Sequence, residues 1–184
     1  MNANPLAKTG PPRAARLIEP AVQMAQAYGK FLQEFIDAGE EGALFTVPAE
    51  VGDAAESIRC LQDHARGINL PEDWVSATAC WLLSDQEVLL GEIHIRHRLT
   101  PALEVFGGHI GYMIRPSERG KGYGTMMLAL GLEKALSLGL RRVLVTCDPA
   151  NAASARVIQK NGGKLAVEPA GNGGRLTLRY WIEL

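Results

Sequence analysis

The sequence lacks several features that would place it in a specialised class of protein. Its three cysteines, Cys60, Cys80 and Cys147, are widely spaced and have no metal-ligand pattern. An odd number of cysteines without a recognisable leader predicts reduced, buried thiols in the cytoplasm and no bound metal. No apolar run approaches the length of a membrane helix, and a formal net charge of -1 gives no general attraction to nucleic acid or anionic lipid. We therefore expect neither a membrane nor a nucleic acid as partner.

What the sequence does contain is typical of one globular domain. Its 184 residues are 47% hydrophobic and 21% charged, which is enough to build a sizeable core. Residues 1–13 show no hydrophobic periodicity, so we predict a flexible tail there and a single domain over 14–184. Strands and helices alternate in the middle of the chain and a hairpin closes it. This order predicts an α/β fold, of the α+β kind with a mixed sheet.

Hydrophobic periodicity and turn residues place the elements. Helices are predicted from Pro20 to Gly39, from Asp53 to Arg66 and from Asn151 to Gly162. Strands are predicted at 16–19, 74–83, 88–98, 109–114, 141–147, 164–167 and 175–181, with a turn at 171–174 between the last two. In the strand at 88–98, Ile93 and Ile95 share one face; the other face is either solvated or lines a cleft.

The most informative stretch runs from His109 to Leu138. A short apolar strand leads into a glycine-rich turn at 119–124, and a helix follows that ends at Gly139. Arg119 and Lys121 would sit at the positive end of that helix, where basic residues are unfavourable unless an anion is bound. Three glycines would bring exposed backbone N–H groups close to such a ligand. The pattern therefore predicts an anion site that suits pyrophosphate.

The glycine-rich turn differs from two common nucleotide-binding motifs. A phosphate-binding P-loop requires Gly-Lys-Ser/Thr, and Thr125 follows Gly124 directly. A dinucleotide fingerprint requires a different glycine spacing and an earlier strand. A flexible turn with solvated charges remains the alternative to an anion site.

Two motifs together resemble those of the GNAT superfamily of N-acyltransferases. The first is Ile114-x-Pro-x-x-Arg-Gly-Lys-Gly-Tyr-Gly124; the second combines Asn151-Ala-Ala-Ser154 with Gln159-Lys-Asn-Gly-Gly163. The resemblance implies the GNAT-like acyl-CoA N-acyltransferase fold, with central strands that splay apart to admit pantetheine. It also implies acetyl-CoA as co-substrate and an amine as acceptor.

The resemblance carries over binding roles residue by residue. The backbone of the turn would hold the pyrophosphate, through Arg119, Gly120, Lys121, Gly122, Tyr123 and Gly124. The central strand would pair with the pantetheine arm, through Tyr112, Met113 and Ile114. Asn151 and Ser154 match positions near that arm, with helix capping alone as the alternative. Met113 and Ile114 leave little room at the thioester, so we expect an acetyl rather than a long acyl group.

The proton transfers are less clearly assigned. The family often has a Glu near the start of the central strand, where this chain has Gly108 and His109. We take His109 as the first candidate for the general base and Glu92 as the second. The Tyr that often protonates the leaving thiolate is replaced by Ile158, and Gly163 stands where an aromatic residue is usual. Neither Tyr112 nor Tyr123 is selected as a substitute by spacing.

The acceptor is not identified by the sequence. Arg96, His97 and Arg98 would either hold an anionic group of the substrate or form a solvated basic run. The leading interpretation is an N-acetyltransferase acting on a primary amine of a small molecule or protein, as a monomer or homodimer. The alternative is a non-catalytic CoA-binding or acyl-CoA-binding sensor or interaction module.

Overall fold

The computed structural model describes residues 14–43, 45, 53–166, 170–172 and 175–184. The predicted tail at 1–13 lies outside the described residues, as does most of the connection through Pro48 and Gly52. No helix in the described ranges is both long and apolar enough to cross a membrane.

Eight strands and five helices are described. The strands are β1 Ala15–Ile18, β2 Ala77–Ser84, β3 Leu89–Arg96, β4 Ile110–Ile114, β5 Arg142–Cys147, β6 Lys164–Leu165, β7 Ala170–Asn172 and β8 Arg175–Glu183. The helices are α1 Ala25–Asp37, α2 Ala54–Arg66, α3 Pro101–Val105, α4 Tyr123–Ser137 and α5 Ala152–Lys160. Single 3₁₀ turns lie at Val22–Met24, Glu41–Ala43 and Pro116–Glu118.

The predicted elements are present, with corrections to several bounds. The helix predicted from Pro20 begins at Ala25, after a 3₁₀ turn at Val22–Met24. The strand predicted from Trp74 begins at Ala77, because Trp74 N–H donates to Pro71 O in a preceding turn. The partner of β8 across the final turn is β7, whereas β6 pairs with β8 further along, opposite Trp181 and Tyr180. The hydrophobic periodicity of α4 groups Leu136 with the buried Leu128 and Ala135, but Leu136 is 40% exposed, since it lies near the end of the helix.

The mixed sheet has the strand order β1-β2-β3-β4-β5-β8-β6, and β7 pairs with β8. All neighbours are antiparallel except β4 and β5, which are parallel. Helix α4 connects these two strands, as a parallel pair requires.

The β4–β5 pairing is confined to Ile110 with Val145. Beyond that pair the two strands separate, whereas β4 stays paired with β3 along its whole length. The structure therefore has the splayed central strands that were expected from the resemblance.

Two apolar clusters cover the two faces of the sheet. Helices α1 and α2 pack on one face through Tyr28, Phe31 and Leu61. Helices α4 and α5 pack on the other, where Ile93 and Ile95 are fully buried. The opposite face of β3 is not solvated, because Glu92 there is fully buried.

Candidate functional site

The glycine loop, residues 119–124, joins β4 to α4 through a left-handed turn. Gly122 is the N-cap of α4, with φ 89°, and no side chain caps the helix. The N–H groups of Thr125 and Met126 donate to Gly122 O. The first helical N–H groups, at Tyr123 and Gly124, have no acceptor within a helix and are directed out of its N-terminus. The loop thus has the backbone geometry of an anion site.

The basic residues of the loop have acidic partners in the protein. Arg119 makes a two-pronged ion pair with Glu40, at 2.8 Å for Nη1–Oε1 and 2.6 Å for Nη2–Oε2. Lys121 pairs with Glu118 at 3.0 Å. The hydrogen bond from Arg119 lowers the pKa of Glu40. The prediction made from charge was therefore wrong in one respect, because these carboxylates already balance the cations that seemed to require a ligand.

A second acid, Glu34 of α1, fixes the start of the loop. It accepts hydrogen bonds from Arg115 Nε at 2.7 Å and from Ser117 N–H at 2.6 Å, and Arg115 Nη2 also pairs with it. Burial alone would raise the pKa of Glu34, but these bonds outweigh burial and lower it. The segment that leads from β4 into the glycine loop is thereby attached to α1.

The sheet cleft is a cavity of about 620 Å³ that opens where β4 and β5 separate. It is bordered by the end of β4, the glycine loop and the first turns of α4 and α5. Its lining residues include Tyr112, Met113, Ile114, Arg119, Gly120, Gly122, Tyr123, Gly124, Asn151 and Ser154. Of the predicted binding residues, Lys121 does not line it.

The edge of β4 supplies backbone groups to this cleft. Arg115 N–H donates to Leu90 O, and antiparallel pairing alternates, so Met113 also directs its backbone groups toward β3. Tyr112 and Ile114 then direct theirs toward the gap. Ile114 O already accepts from Arg119 Nε at 3.0 Å. The free backbone edge thus comes mainly from Tyr112, and Met113 borders the cleft without offering its peptide groups.

The N-terminus of α5 closes the cleft on one side. Asn151 caps the helix, with Oδ1 accepting from Ser154 N–H at 2.9 Å. The Ser154 hydroxyl lies 3.0 Å from the hydroxyl of Tyr112. Burial raises the pKa of Tyr112 to about 12. Helix capping is therefore confirmed for Asn151, while Ser154 holds a cleft-lining phenol in place.

His109 is buried at the start of β4. Its ring atom Nδ1 accepts a hydrogen bond from Leu144 N–H at 2.9 Å. The backbone N–H of His109 donates to Leu144 O at 2.7 Å. Burial, then the charge of Arg96, lowers the pKa of His109. The ring lone pair is engaged by the backbone, so this geometry favours a structural role. Catalysis by His109 stays a prediction.

Glu92 lies on the α1/α2 face of β3. Its Oε2 accepts from Trp81 Nε1–H at 2.9 Å, and its Oε1 lies 2.7 Å from His94 Nε2. Glu92 is fully buried, whereas the side chain of His94 is 12% exposed. Direct contact between Glu92 and a substrate is therefore blocked by the residues bound to it.

His94 lines a second cavity, of about 300 Å³, which we call the histidine cavity. The Phe45 ring packs against the His94 ring in a tilted arrangement, with 4.4 Å between the centroids. The walls include His64, Trp74 and Arg96. Burial lowers the pKa of His64, and the nearby His94 contributes to this shift.

The basic run after β3 is divided between different environments. Arg96 Nη1 donates to the carbonyls of Gly107 and Gly108, at 3.2 and 3.0 Å. His97 Nε2 lies 2.8 Å from the Thr78 hydroxyl. Only Arg98 of the three is exposed, so the alternative of a solvated run is wrong for Arg96 and His97.

The family model for the acetyltransferase (GNAT) domain matches residues 32–164. The chain belongs to the GNAT family. No curated protein sequence matches the chain significantly.

Solved GNAT structures share the fold at low sequence identity. Mycobacterium smegmatis RimJ in complex with CoA-disulfide has a TM-score of 0.68 and 20% identity, covering 95% of this chain and 86% of that one. RimL, a ribosomal L7/L12 alpha-N-protein acetyltransferase in the apo form, has a TM-score of 0.65 and 16% identity, covering 98% and 93%. The microcin C7 self-immunity acetyltransferase MccE, in complex with acetyl-CoA and AMP, has a TM-score of 0.63 and 16% identity, covering 92% of each chain.

The two departures from the expected GNAT motif lie side by side. Ile158 is fully buried in the core between the sheet and α4, and Gly163 N–H donates to its carbonyl at 3.0 Å. Ile158 does not line the sheet cleft, where α5 presents Ser154 and Val157 instead. The position of the expected acid is thus part of the core in this GNAT chain.

Sequence reasoning missed three residues of the site. Glu40 is separated from Arg119 by 79 positions, and no local pattern links them. Trp81 meets Glu92 only because β2 and β3 pair in that register, which the sequence does not state. For His94, the spacing of two from Glu92 was the available signal that the two residues share a face of the strand.

Proposed function

We propose that this GNAT protein is an N-acetyltransferase that moves the acetyl group of acetyl-CoA to a primary amine. The observation that carries the proposal is the coincidence of three features in one cleft: a parallel strand pair that separates, a free backbone edge and an open helix N-terminus. The free thiols of Cys80 and Cys147, both buried, are consistent with a reducing compartment such as the cytoplasm.

In the proposed complex, the backbone N–H groups at Tyr123 and Gly124 hold the pyrophosphate. The pantetheine arm lies in the gap beside β4 and pairs with Tyr112. The relatives RimJ and MccE, solved with CoA-disulfide and with acetyl-CoA and AMP respectively, support this choice of ligand. Arg119 acts through its hydrogen bond to Ile114 O, which orders the loop, rather than through a free charge.

Placement supplies much of the rate in such a reaction. Holding an amine and a thioester in attack geometry contributes about 7–11 kcal/mol toward the barrier. The hydroxyls of Tyr112 and Ser154 lie in the cleft and are the groups available to hydrogen-bond the departing thiolate. A thiol has a low pKa near 8.5, so a hydrogen bond is sufficient help for the leaving group.

Binding is tested by calorimetry with CoA on the Gly124→Ala variant. A Cβ on Gly124 meets its nearest neighbour, Val157 Cγ2, at an ordinary 3.5 Å, so the fold tolerates it. The added methyl group would occupy the path of the phosphates, and we expect CoA affinity to fall at least about tenfold. Gly29→Ala in α1 is the matched control, because its Cβ also meets its neighbour at an ordinary 3.8 Å. Unchanged affinity in Gly124→Ala would contradict the proposed pose.

Turnover is tested by incubating acetyl-CoA with a panel of small amines and peptides and measuring free-thiol release. Thiol release with at least one amine, together with the acetylated product by mass spectrometry, supports the enzyme. Faster turnover with octanoyl-CoA than with acetyl-CoA would contradict the assignment of the acyl group.

A second candidate is a non-catalytic CoA-binding module. It is favoured by one observation, the burial of Ile158 where the family often has a tyrosine. Tight CoA binding without thiol release from any amine in the panel would support the module over the enzyme.

A role of His109 as the general base is tested by a variant that keeps its hydrogen bond. His109→Asn should leave the pH–rate profile unchanged if the ring is structural, since the Oδ1 atom of asparagine takes the place of Nδ1 and can accept from Leu144 N–H. Loss of an acidic limb in His109→Asn would instead establish His109 as the base.

A further inference from the structure

We propose that His94, positioned by Glu92, is the general base of the transfer and that the amine acceptor enters through the histidine cavity. The inference rests on the proposed function and assigns its proton acceptor. Five points on the molecule carry it: the bonds of Glu92, the tautomer they set, the exposure of His94, the location of Gly111 and the charges around the cavity.

Glu92 has both oxygens engaged, and only one of the two bonds has a fixed direction. The Trp81 indole is a donor only, so Oε2 must accept from it. A carboxylate accepts on Oε1 as well, so His94 Nε2 carries the ring proton and donates it at 2.7 Å. The lone pair of a neutral His94 therefore resides on Nδ1.

Nδ1 is the atom of His94 that remains for a substrate. Among the described residues, none forms a hydrogen bond with it, in contrast to Nδ1 of His109, which is held by Leu144 N–H. His94 also lines the histidine cavity, while Glu92 is sealed behind it. An imidazole that lines a cavity, with a buried carboxylate on Nε2 and no described partner on Nδ1, is arranged to accept a proton and to have its charge stabilised.

Gly111 brings this imidazole near the sheet cleft. His94 and Gly111 are register partners on β3 and β4, and Gly111 directly precedes Tyr112 at the gap. The face of Gly111 on the His94 side is occupied by Phe45 instead of a side chain of its own, since a Cβ there would lie 2.8 Å from Phe45 Cε1. Phe45 therefore packs against both the His94 ring and the Gly111 backbone, one residue before Tyr112 at the gap.

The charges around the cavity suit a cationic amine. Glu72 and Asp73 line it together with the apolar ring of Trp74, while Arg96 directs its guanidinium toward two carbonyls. The titratable groups near His94 are thus Glu92 and Arg96 on its own strand, His64 on α2, and Glu72 and Asp73. We assign the acceptor to primary ammonium compounds with an apolar group next to the nitrogen.

The proposed transfer begins with deprotonation of the bound ammonium group. His94 Nδ1 takes one proton from the ammonium, and the freed lone pair forms the C–N bond to the thioester carbon. The C–S bond breaks with its electron pair on sulfur, and the second proton passes from nitrogen to the thiolate. The imidazolium then gives its proton to water, so that an acetamide, free CoA and one released proton result.

The kinetic test compares amines of high and low basicity. His94→Gln should reduce kcat about 100- to 10,000-fold with tyramine, which is protonated at neutral pH, and should remove the acidic limb of the pH–rate profile. With aniline, which is largely unprotonated at neutral pH, the loss should be far smaller. The CoA dissociation constant should stay unchanged.

Equal losses with both amines would overturn the inference, because a structural role affects both alike. His97→Gln is the matched control, since His97 bonds Thr78 and does not line the cavity.

Glu92→Gln tests the positioning role with a signature that packing alone would not produce. Trp81 must donate to the amide oxygen, which turns the amide NH₂ toward His94 Nε2 and moves the ring proton to Nδ1. We expect ¹⁵N-NMR of the imidazole to show this exchange of tautomers, with loss of turnover and retention of the fold. An unchanged Nε2–H tautomer in Glu92→Gln would contradict the assignment.

The same NMR signals separate failure of this inference from failure of the proposed function. If the wild-type protein turns over no amine, the proposed function fails. The His94 signals, identified by their absence in His94→Gln, are then followed as tyramine is added with CoA present. A shift supports the histidine cavity as an amine site, and no shift overturns it.

Discussion

The Cγ2 atom of Ile158 lies 2.5 Å from the point that a Cβ on Gly163 would occupy. The Ile158 carbonyl oxygen lies 2.9 Å from the same point. The two residues that depart from the expected GNAT motif are therefore in contact, and the backbone turn at Gly163 fits only without a side chain. The two departures are structurally linked, because the buried Ile158 side chain leaves no space for an aromatic side chain at position 163.

Gly163→Ala is expected to destabilise the fold by about 1–3 kcal/mol, since one of the clashing atoms is backbone and cannot move aside as a side chain would. Urea unfolding followed by circular dichroism measures the change. Gly29→Ala is the control and should be neutral or slightly stabilising, because alanine is the better helix former. Equal stability of the Gly163→Ala variant would contradict the contact.

Ile158→Tyr is not expected to restore an acid to the site. The side chain at this position is fully buried and lies outside the sheet cleft, so a phenol would overfill the core and cost about 1–3 kcal/mol. Thiol release and urea unfolding are measured together, with the volume-conserving Ile158→Leu as control. A higher kcat in Ile158→Tyr would show that the phenol reaches the leaving group after all.

Tyr112→Phe removes a cleft hydroxyl that bonds Ser154. We expect kcat to fall about tenfold, since one hydrogen bond of about 1.5 kcal/mol to the leaving thiolate is lost. Because burial raises the pKa of Tyr112 to about 12, the phenol stays protonated through pH 10. The rate of the wild-type protein should therefore not fall near pH 10. A fall that is present in the wild type and absent in Tyr112→Phe would contradict the assignment of a neutral donor.

Glu40→Gln leaves Arg119 without its carboxylate partner at the edge of the sheet cleft. Removing one negative charge near the pyrophosphate should tighten CoA binding by about twofold to fivefold at low salt, with the gain lost at high salt. Calorimetry at two salt concentrations measures this effect. Weaker binding at low salt would show instead that Glu40 orders the loop more than it repels the ligand.

Glu34→Gln tests the attachment of the glycine loop to α1. The pKa of Glu34 is lowered in the folded protein, so its stabilisation is present above the unfolded value of 4.5 and is lost as pH falls through the folded pKa. At pH 7 the variant should have a lower Tm, while wild type and variant should converge as the pH falls below about 4. Parallel Tm curves over the whole range would contradict a linked ionisation. Glu133→Gln is the control, because it removes one carboxylate from an exposed position of α4.

Local sequence patterns were sufficient for most elements of this fold. Asp53 and Asn151 do cap their helices, since capping depends on residues three positions apart. The strand after the glycines and the helix it feeds were predicted because their periodicities differ. The separation of β4 from β5 followed from the GNAT resemblance, not from any local pattern.

The site was harder to predict because its decisive contacts join distant residues. Glu40, in the turn after α1, pairs with Arg119 of the glycine loop, and Glu34, in α1, bonds Arg115 and Ser117 just before the loop. In the sequence, His109 and His94 are equally plausible bases. Only the fold shows that the Nδ1 lone pair of His109 is occupied by Leu144 N–H. The sequence thus showed which kinds of side chain the site contains, but not how those side chains are oriented.

The single pairing of Ile110 with Val145 has a consequence for how the molecule deforms. Strands β1 to β4 come from the chain before residue 115 and β5 to β8 from the chain after residue 141, so each half of the sheet is one contiguous length of polypeptide. The seam between them has almost no backbone bonds of its own. A ligand seated along β4 would act as the missing strand, and its departure would leave the two halves of the sheet joined by that one pairing.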